Sequence, residues 1–144
     1  MNRSTLLFLL FIALLLPACK SSAASTPAAE VVGVQVAVPG GSYTDVSVAE
    51  LQTMLADKDF TFVNVHIPFE GDIADTDLSV AYDEIEQNLD QLPADPDAKI
   101  VLYCRSDRMS RIAAETLVGL GYTNVWNLDG GMAAWEQAGL PLER

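Results

Sequence analysis

The stretch Lys99-Ile100-Val101-Leu102-Tyr103-Cys104-Arg105-Ser106-Asp107-Arg108-Met109-Ser110 decides how the chain folds. Four consecutive apolar residues run from Ile100 to Tyr103, a short run that reads as a strand buried on both faces. Ile112, Ala113, Leu117 and Leu120 then fall on one side of a helix that begins at Met109 or Ser110. Gly121 closes this helix with a left-handed residue. Cys104 stands between the two elements, at the end of the strand.

Outward from this unit, strands and helices alternate. Residues 43–46 read as a short strand. Ser47 and Glu50 have the spacing of a capping box, with Leu51, Met54 and Leu55 supplying the apolar face of the helix that follows. Residues 60–65 form a second buried strand, and residues 68–79 a loop. Ile85, Leu89 and Leu92 have helical spacing, ended by Pro93. Residues 125–128 are a further strand. Gly130 or Gly131 opens a last helix through Ala133, Ala134 and Ala138, closed by Gly139 and Pro141. Strands separated by single helices give an α/β fold with a mainly parallel central sheet and helices on both faces. Ligands of such sheets sit beyond the C-terminal strand ends, the edge where Cys104 lies. Trp126 and Trp135 are expected in the core.

The totals limit the partners. The chain has 144 residues, half of them apolar, which suits one globular domain. The net charge of −12 argues against nucleic acid, whose phosphates need a basic surface. Asp72, Asp75, Asp77, Asp83, Glu84, Glu86, Asp90, Asp95 and Asp97 precede Lys99 without an intervening base, and read as a solvated acidic face. They lack the glycine and closing glutamate of a calcium loop, so no metal site is assigned. Arg105, Arg108 and Arg111 are three of the eight basic residues, and their grouping beside Cys104 suggests a local anion site.

The N-terminus reads as an address. Asn2-Arg3-Ser4 precedes an apolar run over residues 6–16. The run is short of the roughly 20 residues that span a bilayer and has the length of a signal-peptide core. Leu16-Pro17-Ala18-Cys19 resembles a bacterial lipobox, which implies a signal peptide over residues 1–18 and a lipid on Cys19. Cleavage near Ala23-Ala24-Ser25 is the alternative. Residues 19–41 are expected as a flexible tether and residues 42–144 as the domain, anchored by lipid to the bacterial envelope membrane outside the cytoplasm. Cys104 is then a lone free thiol in an exported, monomeric protein, a flag for reactivity.

A loop joining a strand end to a helix start in about five residues can turn successive N–H groups toward one point, a nest for an anion. A thiolate at its centre is held in its nucleophilic form. Arg105 and Arg108 add charge for an incoming anion, Ser106 and Ser110 offer hydroxyl donors, and Ser110 is a candidate helix cap.

Tyr103-Cys104-Arg105-Ser106, Gly121-Tyr122 and Leu128-Asp129-Gly130-Gly131-Met132-Ala133-Ala134-Trp135, with Asp45-Val46-Ser47 and Val63-Asn64-Val65-His66 upstream, together resemble a single-domain rhodanese. The resemblance implies a sulfurtransferase that needs no cofactor. Cys104 would take sulfane sulfur from a donor of the thiosulfate or polysulfide class and pass it, as a persulfide, to a thiophilic acceptor such as cyanide or a thiol. Arg105, Ser106, Asp107, Arg108, Met109 and Ser110 would form the substrate-binding loop. Asp107 stands where many members have glycine and is expected to bring negative charge toward the anion. Met109 stands where a base is frequent, and Asn64 and His66 replace a common Asp and Arg. His66, the only histidine, reads as structural, with a general-base role open.

Three other functions compete. A Cys-dependent phosphatase or arsenate reductase needs arginine six residues after the cysteine, where Ser110 stands here. A non-catalytic binding or sulfide-carrier module would not need Cys104. Thiol redox lacks a Cys-x-x-Cys pair.

Overall fold

The computed structural model describes residues 30–144. Six strands form one sheet: β1 (Val34–Val38), β2 (Gly41–Val46), β3 (Thr61–Asn64), β4 (Leu78–Ser79), β5 (Ile100–Tyr103) and β6 (Val125–Leu128). Their order is β1-β2-β6-β5-β3-β4. All neighbours are parallel except β1 and β2. β5 lies between β3 and β6, and all four of its residues are buried, as a strand covered on both faces requires.

The pleat of β5 divides the core. Ile100, Leu102 and Cys104 face one apolar cluster, and Val101 and Tyr103 the other. The first cluster is closed by Ala113, Ala114, Leu117 and Val118 of α2 (Arg108–Gly119). The second is closed by Leu51 and Met54 of α1 (Val48–Ala56) and by Met132 and Trp135 of α3 (Gly131–Gln137). Helices therefore cover both faces. Trp135 is core, and Trp126 packs half-buried against the same cluster.

The Ser47–Glu50 capping box forms in full at the start of α1. Gly121 follows α2 with φ +97°, as expected of its left-handed terminator.

Three expectations need correction. β1 lies inside residues 19–41, so the segment expected as tether already contains the edge strand of the domain. Val34–Val38 pairs antiparallel with β2 across the turn Pro39-Gly40. The helical spacing of Ile85 and Leu89 belongs to a 3₁₀ helix over Ile85–Gln91, interrupted at Asn88. The loop over residues 68–79 ends in β4, a two-residue parallel addition to β3. The signal peptide, the lipobox with Cys19 and the first part of the tether lie outside the described residues. Among the described residues, no helix is long and apolar enough to cross a membrane.

Candidate active site

Cys104 is the first residue beyond β5, and Asp107 turns the chain into α2 with φ +88°. Cys104 is only 2% exposed and lines a cavity of about 130 Å³ with His66, Arg105, Ser106, Arg108 and Met109. His66 reaches it from the end of the adjacent strand, because Val65 continues the pairing of β3 with β5 by donating its N–H to Tyr103 O.

Ser110 is not the cap of α2. It sits fully buried in the first turn, with its Oγ 3.3 Å from Cys104 Sγ and 3.0 Å from the carbonyl of Asp107. Its one hydroxyl proton is shared between those two acceptors. The residue before the helix is Asp107, whose side chain does not face the cavity. Its Oδ1 accepts a hydrogen bond from Gly130 N at 2.8 Å. The expectation that Asp107 carries charge toward the bound anion is therefore corrected: its carboxylate fastens the cysteine loop to the start of α3.

Two more bonds complete that fastening. Met132 N donates to Cys104 O at 2.9 Å, and Ala133 N to Arg105 O at 3.0 Å. Free amides of the first helical turn thus meet carbonyls of the loop. A Cβ on Gly131 would stand 2.3 Å from Cys104 O, and Gly131 has φ +54°. This close approach requires glycine at 131.

The arginines separate. Arg108 lines the cavity and forms no ion pair among the described residues. Arg105 also lines it, but its Nη1 lies 2.6 Å from Glu136 Oε2 and its Nε 3.4 Å from Glu70 Oε2. Arg111 is no part of an anion site. It points to Asp45 (3.2 Å) and Asp129 (3.0 Å), beneath the ends of β2 and β6. Burial pushes the Asp45 carboxyl up from its ordinary value, against the opposing effects of Asn127 and Arg111.

The His66 side chain is 8% exposed, with Nε2 3.6 Å from Glu70 Oε1. Neither ring nitrogen has a hydrogen-bond partner among the described residues. Asn64 has a structural task. Its amide donates to Gly71 O and Asp72 Oδ1, and its carbonyl accepts from His66 N. Tyr103 OH accepts from Ile73 N and meets Asp72, and burial drives its hydroxyl far above the ordinary tyrosine range. Glu70 and Glu136, which flank Arg105, were not found from the sequence. No spacing pattern marks them, because both reach the site through tertiary folding.

A family model described as a rhodanese-like domain matches residues 47–138. A sulfurtransferase of Allochromatium vinosum is 38% identical over 96 residues, covering 64% of this chain and 87% of its own. The thiosulfate sulfurtransferase GlpE of Vibrio cholerae is 29% identical over 103 residues, covering 70% and 95%. The crystal structure of a rhodanese-related protein from Thermoplasma volcanium superposes with a TM-score of 0.59 at 28% identity, covering 69% and 97%. With a cysteine loop fastened to a Gly-Gly helix start at the C-terminal edge of its sheet, this chain belongs to the rhodanese-like domain family.

Proposed function

We propose that the domain transfers sulfane sulfur through Cys104. The observation that carries this reading is the Cys104 sulfur lining a small cavity, with the Ser110 hydroxyl 3.3 Å away. The Cys104 thiolate attacks the outer sulfur of the donor, the donor's remaining fragment leaves, and the sulfur stays on Cys104 as a persulfide. A thiol or cyanide then removes the outer sulfur, in a ping-pong cycle. The relatives named as sulfurtransferases support this chemistry. Cysteine-dependent phosphate chemistry is disfavoured by Ser110, which stands where that chemistry needs arginine, and by Arg111, whose guanidinium is committed to Asp45, Asp129 and Asp107. Arg105, Ser106, Arg108 and Met109 are the residues we assign to the donor, with Ser110 on the sulfur.

Intact-mass measurement of the domain after thiosulfate or polysulfide tests the proposal, beside Cys104→Ser. One added sulfur atom, removed by cyanide or a thiol and absent from the variant, is expected. No added sulfur from any donor would sink the enzyme reading and favour a binding module.

We further propose that the domain works outside the cytoplasm on a lipid carried by Cys19. Palmitate labelling in a bacterial host, lost in Cys19→Ala, is the expected outcome. Unlabelled, freely released protein would reject the anchor.

A further inference from the structure

The loop sequence promises a positive cavity, and the tertiary structure takes part of that charge back. Glu136 and Glu70 both reach Arg105, at 2.6 and 3.4 Å. The same Glu70 carries a second oxygen to 3.6 Å from His66 Nε2. Arg144 also comes to Glu136, at 3.1 Å from its other oxygen, so Glu136 is shared between two arginines while Glu70 is shared between Arg105 and His66. Of the two arginines that line the cavity, one is therefore matched by two carboxylates, leaving Arg108 to face a bound anion. Both glutamates are partly exposed, so neither is held there by burial.

We infer that Glu70 and Glu136 are specificity-determining residues that turn the site away from dianionic donors, toward sulfane donors with at most one negative charge, such as alkyl persulfides. The inference rests on the sulfurtransferase reading and names its donor class. With thiosulfate, the Cys104 thiolate bonds to the outer sulfur, the S–S bond breaks, and sulfite leaves with two charges. Two charges must then sit beside the sulfur with Arg108 as the one cavity-lining arginine that is not ion-paired among the described residues. With a persulfide R–S–SH, the thiolate bonds to the terminal sulfur, the S–S bond breaks with its electron pair going to R–S⁻, and the proton stays on the transferred sulfur. Atoms and charge balance in both, but the second brings at most one charge into the cavity.

The test compares kcat/KM for thiosulfate and for the persulfide of 2-mercaptoethanol, at low salt, in the wild type, Glu70→Gln and Glu136→Gln. Removing a carboxylate charge several ångströms from the donor should raise the thiosulfate-to-persulfide ratio by about threefold or more for each extra donor charge, the lower limit being that of a water-like dielectric. The wild type is expected to favour the persulfide, and each substitution to raise the ratio by that factor. Added salt should raise the thiosulfate rate of the wild type and do so less in the variants, a response that simple loosening of Arg105 would not produce. A wild type that uses thiosulfate as well as the persulfide overturns the inference, as does a ratio that neither substitution moves. Both of those results leave the sulfurtransferase reading standing. Failure of Cys104 to take sulfur from either donor rejects both together.

Discussion

The hydroxyl of Ser110 stands 3.3 Å from the sulfur of Cys104, delivered there by the first turn of α2. The helix that starts just after the loop brings this side chain back to the sulfur at the end of the preceding strand. The serine is fully buried, so water does not replace its proton when it is removed.

Ser110→Ala should therefore slow the chemistry of Cys104. A hydrogen bond to a charged acceptor contributes about 1.5 kcal/mol or more, which corresponds to roughly a tenfold loss in the rate of persulfide formation. The rate of alkylation by iodoacetamide should fall with it. Unchanged rates for both reactions would show that the proton serves only the Asp107 carbonyl.

Asp107 combines two demands, a φ of +88° and a side-chain acceptor for Gly130 N. Asn meets both, so Asp107→Asn should stay within ~0.5 kcal/mol of the wild type. Ala meets neither, and should lose about 2 kcal/mol from strain and the missing bond together. Gly relieves the backbone but not Gly130, and should fall between them. Urea midpoints order the three variants; Ala equal to Asn would contradict the assignment.

How much of this was legible beforehand depended on whether the signal was local. The β5–Cys104–α2 unit was, because a buried strand and an amphipathic helix each write their period into consecutive residues. The capping box at Ser47 was legible for the same reason. β1 was not recognised: one of its faces is open, Val34 is 68% exposed, and the Ala- and Ser-rich stretch before it blurs the boundary. Pro39-Gly40 was the available turn signal. The orientation of Asp107 was misjudged because its partner, Gly130, is brought in by tertiary structure. Arg111 is close to Arg105 in sequence, but tertiary folding gives the two different partners, Glu70 and Glu136 for Arg105, Asp45 and Asp129 for Arg111.

The start of α1 predicts a pH dependence. Hydrogen bonds from the Ser47 backbone N–H and hydroxyl hold the Glu50 carboxyl below its ordinary value of 4.5, with Gly33 N–H adding to them. A carboxylate depressed in the folded state stabilises it above the unfolded value, and the contribution is lost as pH falls through the folded one. Glu50→Gln should thus be less stable than the wild type at neutral pH, with the gap narrowing below pH 4.5. Ser47→Ala removes the reciprocal bond and should cost ~1 kcal/mol at pH 7. Thermal melts from pH 3 to 7 read both effects, and a gap that does not depend on pH would reject this role for Glu50.

Two glycines give opposite predictions from the same substitution. Gly119 is in the last turn of α2 and nothing lies within 4 Å of a Cβ built there. Gly119→Ala should therefore stabilise the domain by ~0.5–1 kcal/mol, because alanine loses less backbone freedom on folding. Gly131 has φ +54°, and its Cβ would meet Cys104 O at 2.3 Å and Arg105 C at 2.9 Å, both backbone atoms that cannot rotate away. Relief requires α3 to retreat from the loop, which breaks the bonds from Met132 N and Ala133 N to the carbonyls of Cys104 and Arg105. Two such bonds at ~1 kcal/mol each, plus the strained φ, put the loss at about 3 kcal/mol or more. Any Gly131→Ala protein that still folds should also load sulfur more slowly than the wild type, because the loop that sets Cys104 against Ser110 has lost its support. A variant with lowered stability but an undiminished rate would mean that α2 alone positions the sulfur.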